Sequence, residues 1–181
     1  MKKLLIIVAV GLATTTMALA QGQLNFANGA SGVNAPISDA NDVKLAGAAY
    51  VAGLWWGAGT VTDPNLLAFA NFTSPFGTLG YFSGGAKTIT GPAIGDTITA
   101  QVRVWDVAHG STYEAVKAAQ GGQWGASVLI PGLKLGGGIT LPPNLVGLQS
   151  FKLTLNPVPE PSTLALAGLG LAAMLVIRRR K

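Results

Sequence analysis

Cysteine is absent from this chain, which removes disulfides, thiolate metal ligands and a cysteine nucleophile together. Charge is scarce: Asp, Glu, Lys and Arg make up 10% of the residues, which leaves few groups for acid–base catalysis. A basic stripe is also lacking. The formal net charge is +5, but Lys2, Lys3, Arg178, Arg179, Arg180 and Lys181 supply half of the twelve cations. Between Gln21 and Asn156 the six remaining cations meet six anions. The excess therefore sits at the two ends, and nothing between them would attract phosphate by counterion release, so no nucleic-acid partner is expected.

Both ends read as addresses. Lys2 and Lys3 precede an apolar run over Leu4–Leu12 that is too short to span a membrane, and Ala18-Leu19-Ala20 is a small-x-small cleavage site. Residues 1–20 are therefore expected to be a secretory signal peptide, handled by the Sec translocon and signal peptidase, with a mature start at Gln21. At the other end Pro159-Glu160-Pro161 is a rigid extended tripeptide, because proline fixes its own φ and pushes its predecessor away from helix. Residues 163–177 carry no charge and are expected to form a transmembrane helix. At 1.5 Å per residue they reach roughly 22 Å against a hydrocarbon core of about 30 Å, a short and weak anchor. Arg178, Arg179, Arg180 and Lys181 would stay cytoplasmic, which puts everything before them outside the inner membrane.

Tripeptide, apolar helix and basic end, in that order, resemble the PEP-CTERM sorting signal of Gram-negative bacteria over residues 157–181. The resemblance implies processing near Pro159-Glu160-Pro161 by exosortase, a membrane cysteine transpeptidase, after a transient stay in the inner membrane. Release to the cell surface or the extracellular matrix would follow. The chain would be substrate there, not enzyme. Some ice-binding proteins carry the same tail, but the regular threonine ladders such surfaces often use are missing here.

Residues 21–156 form the expected exported domain. Short alternating runs separated by Gly, Pro, Asn and Asp argue for a mainly β, antiparallel sandwich or jelly roll with one short helix. Leu24 and Phe26 mark a first strand, and Asn28–Asn41 a loop. Ala46–Trp56 is apolar on both faces, as in a central strand. Thr78–Ser83 and Lys87–Thr90 flank Gly84-Gly85 and predict a hairpin. Thr97–Val107 alternates most cleanly, with Ile98, Ala100, Val102 and Val104 on the core face and Thr97, Thr99, Gln101, Arg103 and Trp105 on the other. Ser111-Thr112-Tyr113-Glu114 matches a capping box and predicts a helix over Thr112–Ala119. Ser127–Ile130, Leu133–Leu135 and Leu145–Leu155 complete the strands, the last with Phe151, Leu153 and Leu155 inward.

Few constellations carry chemistry. His109, the only histidine, follows Asp106 by three residues; with no nucleophile beside it, the pair reads as part of a turn. Asp39, Asn41 and Asp42 offer oxygen ligands to calcium, but the glycine and distal glutamate of an EF-hand are missing, so no metal and no cofactor is expected. Gly136-Gly137-Gly138 opens no helix and reads as a turn. Trp105, Trp124 and Arg103 are the candidates for ligand binding: an exposed indole beside a guanidinium could stack on a sugar, and core packing is the competing reading. The expected function is a structural or adhesive envelope or biofilm protein, with exopolysaccharide as a candidate partner. A carbohydrate-binding module is the alternative. A hydrolase ranks last, because paired carboxylates are not evident.

Overall fold

The computed structural model describes residues 21–158 together with Met174, Arg178 and Arg179. The signal peptide, the Pro159-Glu160-Pro161 tripeptide and, apart from Met174, the expected 163–177 helix lie outside the described residues. Among those residues no helix is long and apolar enough to cross a membrane.

The fold is mainly β and antiparallel, with one short helix. Ten strands follow in order: β1 (Gln21–Ala27), β2 (Gly29–Ala30), β3 (Val33–Asn34), β4 (Gly47–Ala58), β5 (Ala68–Phe76), β6 (Ser83–Ala93), β7 (Thr97–Asp106), β8 (Gln123–Ala126), β9 (Ile130–Lys134) and β10 (Thr154–Leu155). Helix α1 (Tyr113–Ala118) separates β7 from β8, and a 3₁₀ turn (Pro64–Leu66) precedes β5.

The main sheet runs β10-β8-β7-β4-β5. β9 continues along the edge of β7 that β8 begins, since β8 pairs with Arg103–Trp105 and β9 with Thr97–Ala100. Ser127 mends the gap between them. Its amide donates to Val102 O at 2.8 Å, and its hydroxyl accepts from Val102 N at 3.1 Å. Of the run Ser127–Ile130, expected as a strand, only Ile130 pairs; residues 127–129 are a break between two strands bridged by Ser127.

A second, two-stranded sheet pairs β1 with β6. Leu24 and Phe26 from β1, Ile89 from β6, Ala52 and Leu54 from β4, and Ile98, Ala100, Val102 and Val104 from β7 all belong to one apolar cluster. The assigned core face of Thr97–Val107 is therefore the observed one. β4 lies between β5 and β7, which explains why its apolar residues occupy both faces.

Four expectations need correction. The Gly84-Gly85 hairpin does not form; β6 runs through both glycines beside β1, with a register shift where Phe26 pairs Gly85 and Ala27 pairs Ser83. A Cβ at Gly84 would lie 3.0 Å from the Phe26 ring, and Gly85 has φ +71°, so the pair marks a bulge and a close approach instead of a turn. β5 was not foreseen. It is an edge strand holding Pro75, broken by Asn71 at φ 59°, so its alternation is interrupted twice. Leu145–Leu155 is not one strand: Leu145, Leu148 and Leu153 are buried from irregular chain, Lys152 makes an isolated parallel bridge to Ser38, only Thr154 and Leu155 form a strand, and Leu155 is exposed. Finally, on the face of β7 opposite the core, packing wins over an exposed indole. Thr99, Gln101, Arg103 and Trp105 are all buried, under a second cluster formed by Trp55, Leu67, Trp105, Tyr113 and Val116.

Candidate functional site

That second cluster organises the outer face of the sheet. Register places Phe69, Trp55 and Gln101 side by side across β5, β4 and β7. The next row holds Thr73, Gly53, Arg103 and Ala126 across β5, β4, β7 and β8. The row after that sets Val51, Trp105 and Trp124 across β4, β7 and β8. Gly53 makes the arrangement possible: a Cβ there would lie 3.1 Å from the rings of Phe69, Trp55 and Trp105. A glycine inside an apolar strand was the available sequence signal for this close approach.

Helix α1 roofs the face. Thr112 is its N-cap, accepting from Ala115 N at 3.3 Å. The cap is Thr112 where a capping box over Ser111–Glu114 would use Ser111, and Glu114 turns away to Arg103 at 3.3 Å. The helix aims Tyr113 inward, with ring centroids 5.6 Å from Trp55, 6.3 Å from Trp105 and 5.9 Å from Trp124. Burial pushes the Tyr113 phenol up to about 12.

Arg103 packs against both Trp55 and Tyr113, its guanidinium 4.7 Å and 5.2 Å from their ring centroids. It donates from Nε to Gln101 Oε1 at 2.9 Å, from one terminal nitrogen to Pro64 O at 2.7 Å and from the other to Glu114. Burial lowers its pKa, while nearby Tyr113 and Glu114 raise it. Arg103 is thus a strut between the sheet, the 3₁₀ turn and α1. Trp105 is only 3% exposed and Trp124 is half-buried, its indole donating to Asn156 Oδ1 at 2.9 Å. The three residues singled out for binding come together, but inside a packed layer. Trp55, Phe69 and Tyr113, which were not assigned together, line a cleft of about 400 Å³ with Trp105.

Asp106 and His109 do meet: His109 Nδ1 lies 2.8 Å and 3.0 Å from the two carboxylate oxygens. The same carboxylate accepts from the amides of His109 at 2.9 Å and Gln123 at 2.8 Å, so it clasps the end of β7 to the start of β8. Burial opposes its ionisation, but the Gln123 amide and the His109 ring and amide outweigh that and hold its pKa below the usual carboxylate value. Asp39 accepts from Asn41 N and Val43 N at 2.8 Å each, an Asx turn, and Asp42 pairs with Lys152 at 3.2 Å. These geometries are turn geometries. Among the described residues no cluster of three His, Cys, Asp or Glu could hold a metal ion.

The domain closes on Asn156. Its Nδ2 donates to Val116 O at 3.1 Å, Lys117 O at 2.8 Å and Ala119 O at 2.7 Å, capping α1, while its backbone bonds Gly121 and Gly122. Directly after it, residues 157–181 match the family model for the PEP-CTERM protein-sorting motif. The chain carries a PEP-CTERM sorting signal. That signal marks an exported protein directed to exosortase, a membrane transpeptidase, for sorting to the cell surface. Arg178 and Arg179 of the basic end are helical and exposed. No curated protein and no solved structure matches the chain.

Proposed function

We propose that the mature protein is a structural or adhesive component of the cell envelope or biofilm matrix. Residues 1–20 are read as the signal peptide, 21–156 as a β-sandwich domain and 157–181 as the processed anchor. The sorting motif at 157–181 carries the reading. Support for a sandwich comes from the single apolar cluster shared by the β1–β6 pair and the main sheet. Support for a non-enzymatic role comes from the engagement of two carboxylates, Asp106 and Glu114. Asp106 already takes two amides and an imidazole, and Glu114 is paired with Arg103, so neither is poised for acid–base work. Exopolysaccharide is the partner class this role calls for, and the second reading, a carbohydrate-binding module, rests on the aromatic cleft.

The test is replacement of Pro159, Glu160 and Pro161 by alanine, followed by fractionation and mass spectrometry of both chain ends. The parent should start at Gln21 and lack its basic end at the surface. The variant should stay in the inner membrane at full C-terminal length. Surface delivery of the variant with a normally trimmed C-terminus would sink the sorting role of the tripeptide.

A further inference from the structure

We propose that the cleft over Gly53 binds one or two pyranose rings of a neutral glycan. The proposal deepens the reading of a surface protein, and rests on it only for where the glycan is met. The cleft is walled by the rings of Trp55, Phe69, Trp105 and Tyr113 and has a volume of about 400 Å³, within the usual range of ligand pockets, roughly 300–1,000 Å³. Phe69 leaves 37% of its surface open at the edge, so the aromatic wall is reachable. A pyranose with equatorial hydroxyls presents apolar C–H faces to such rings and a girdle of donors and acceptors at its edge.

The polar side of the cleft matches that girdle. Ser111, Thr112 and Glu114 border it, and the Glu114 side chain is 66% exposed. Thr112 Oγ1 accepts from Ala115 N and keeps its own proton to donate. Trp105, only 3% exposed, offers ring surface alone, because its indole N–H is buried. The hydroxyl and carboxylate border is what favours a sugar over an aliphatic ligand. Charge narrows the class further. Arg103 is already paired with Glu114 and packed against two rings, and no lysine lines the cleft, so no free cation waits there for an acidic polymer.

The experiment is a titration of the full-length chain in detergent micelles with cellohexaose, followed by ¹H–¹⁵N NMR of the tryptophan indoles. The Trp55 and Trp105 signals should move and saturate at millimolar or lower concentration, while Trp56, on the opposite face, should stay fixed. Phe69→Ala and, separately, Glu114→Gln should each weaken binding at least tenfold; Leu66→Ala, exposed and outside the cleft, should bind as the parent does. Polygalacturonate should not compete. Silent Trp55 and Trp105 signals at about 10 mM sugar, or unaltered binding by both cleft variants, would overturn the proposal. Because binding is read on purified protein, its loss leaves the sorting reading standing, and a failed localisation leaves the cleft standing.

Discussion

Asn28 shows how a single buried polar group can set a loop. It is fully buried at the end of β1. Its Nδ2 donates to Ala35 O at 2.7 Å and Gly80 O at 2.8 Å, and its Oδ1 accepts from Phe82 N at 2.7 Å. Backbone groups of two other segments, Ala35 and Gly80–Phe82, meet on one carboxamide away from water. Asn28→Ala should cost about 3 kcal/mol, since it strands several buried groups at once. A urea melt should show a lower midpoint with an unchanged slope. Asp106 is the second residue of this kind. Its pKa is depressed in the folded state, so its contribution is present above the ordinary carboxylate pKa, near 4, and fades as pH falls through the lower folded value. Asp106→Asn should therefore melt below the parent at pH 7, and the gap should close in a pH series taken below about 4. A gap that persisted unchanged into acid would show that the carboxylate charge is not what clasps β7 to β8.

At the scale of elements, β7 governs the fold because it is buried on both sides. Val102 faces the main cluster with no exposure, and Val102→Asp would place an unpaired charge there, which should abolish the cooperative melt. The opposite face is no freer to change, as Thr99 shows. Thr99 Oγ1 donates to Gly59 O at 2.7 Å and accepts from Val61 N at 3.0 Å, which pins the β4–β5 connection over the sheet. Thr99→Val should cost about 1–2 kcal/mol by leaving both groups unpaired, measurable as a lower thermal midpoint. A silent Thr99→Val would mean that water replaces the hydroxyl and that the connection is not held there. The alternation in Thr97–Asp106 is polar against apolar, yet Thr99, Gln101 and Arg103 are buried too. Burial of Gln101 and Arg103 is tolerable because each is hydrogen-bonded.

Across the whole molecule, the sorting signal starts where the folded body stops. Asn156 ties the last described segment to α1 and to Trp124, while Pro157 and Val158 beyond it are exposed. A processing enzyme acting near Pro159-Glu160-Pro161 would approach beside the exposed Pro157 and Val158. Cleavage there should leave the domain's stability untouched. Protein trimmed just after Val158 should melt with the full-length midpoint, whereas Asn156→Ala should lower it by about 2–3 kcal/mol equivalent. Equal loss in both would show that the tail itself supports the fold.

The sequence alone determined the address and the local elements. The PEP-CTERM signal is linear chemistry, read from order and position without any fold. The short helix was legible because start signals are local, although its cap is Thr112 and not Ser111, and the core face of Thr97–Asp106 because period-two alternation needs no partner. Tertiary structure decided the rest. Gly84-Gly85 looks the same in a turn and in a bulge; only the approach of Phe26 distinguishes them. β5 is a strand because β4 offers it an edge, despite Pro75 and a left-handed Asn71. The polar face of β7 carries Trp105 and Arg103 in sequence, but whether they meet water depends on α1 and the 3₁₀ turn folding over them. The cleft exists because Gly53 leaves space beneath three rings drawn from β4, β5 and β7. Distant segments converge there through pairing register, and no spacing along one segment could reveal it.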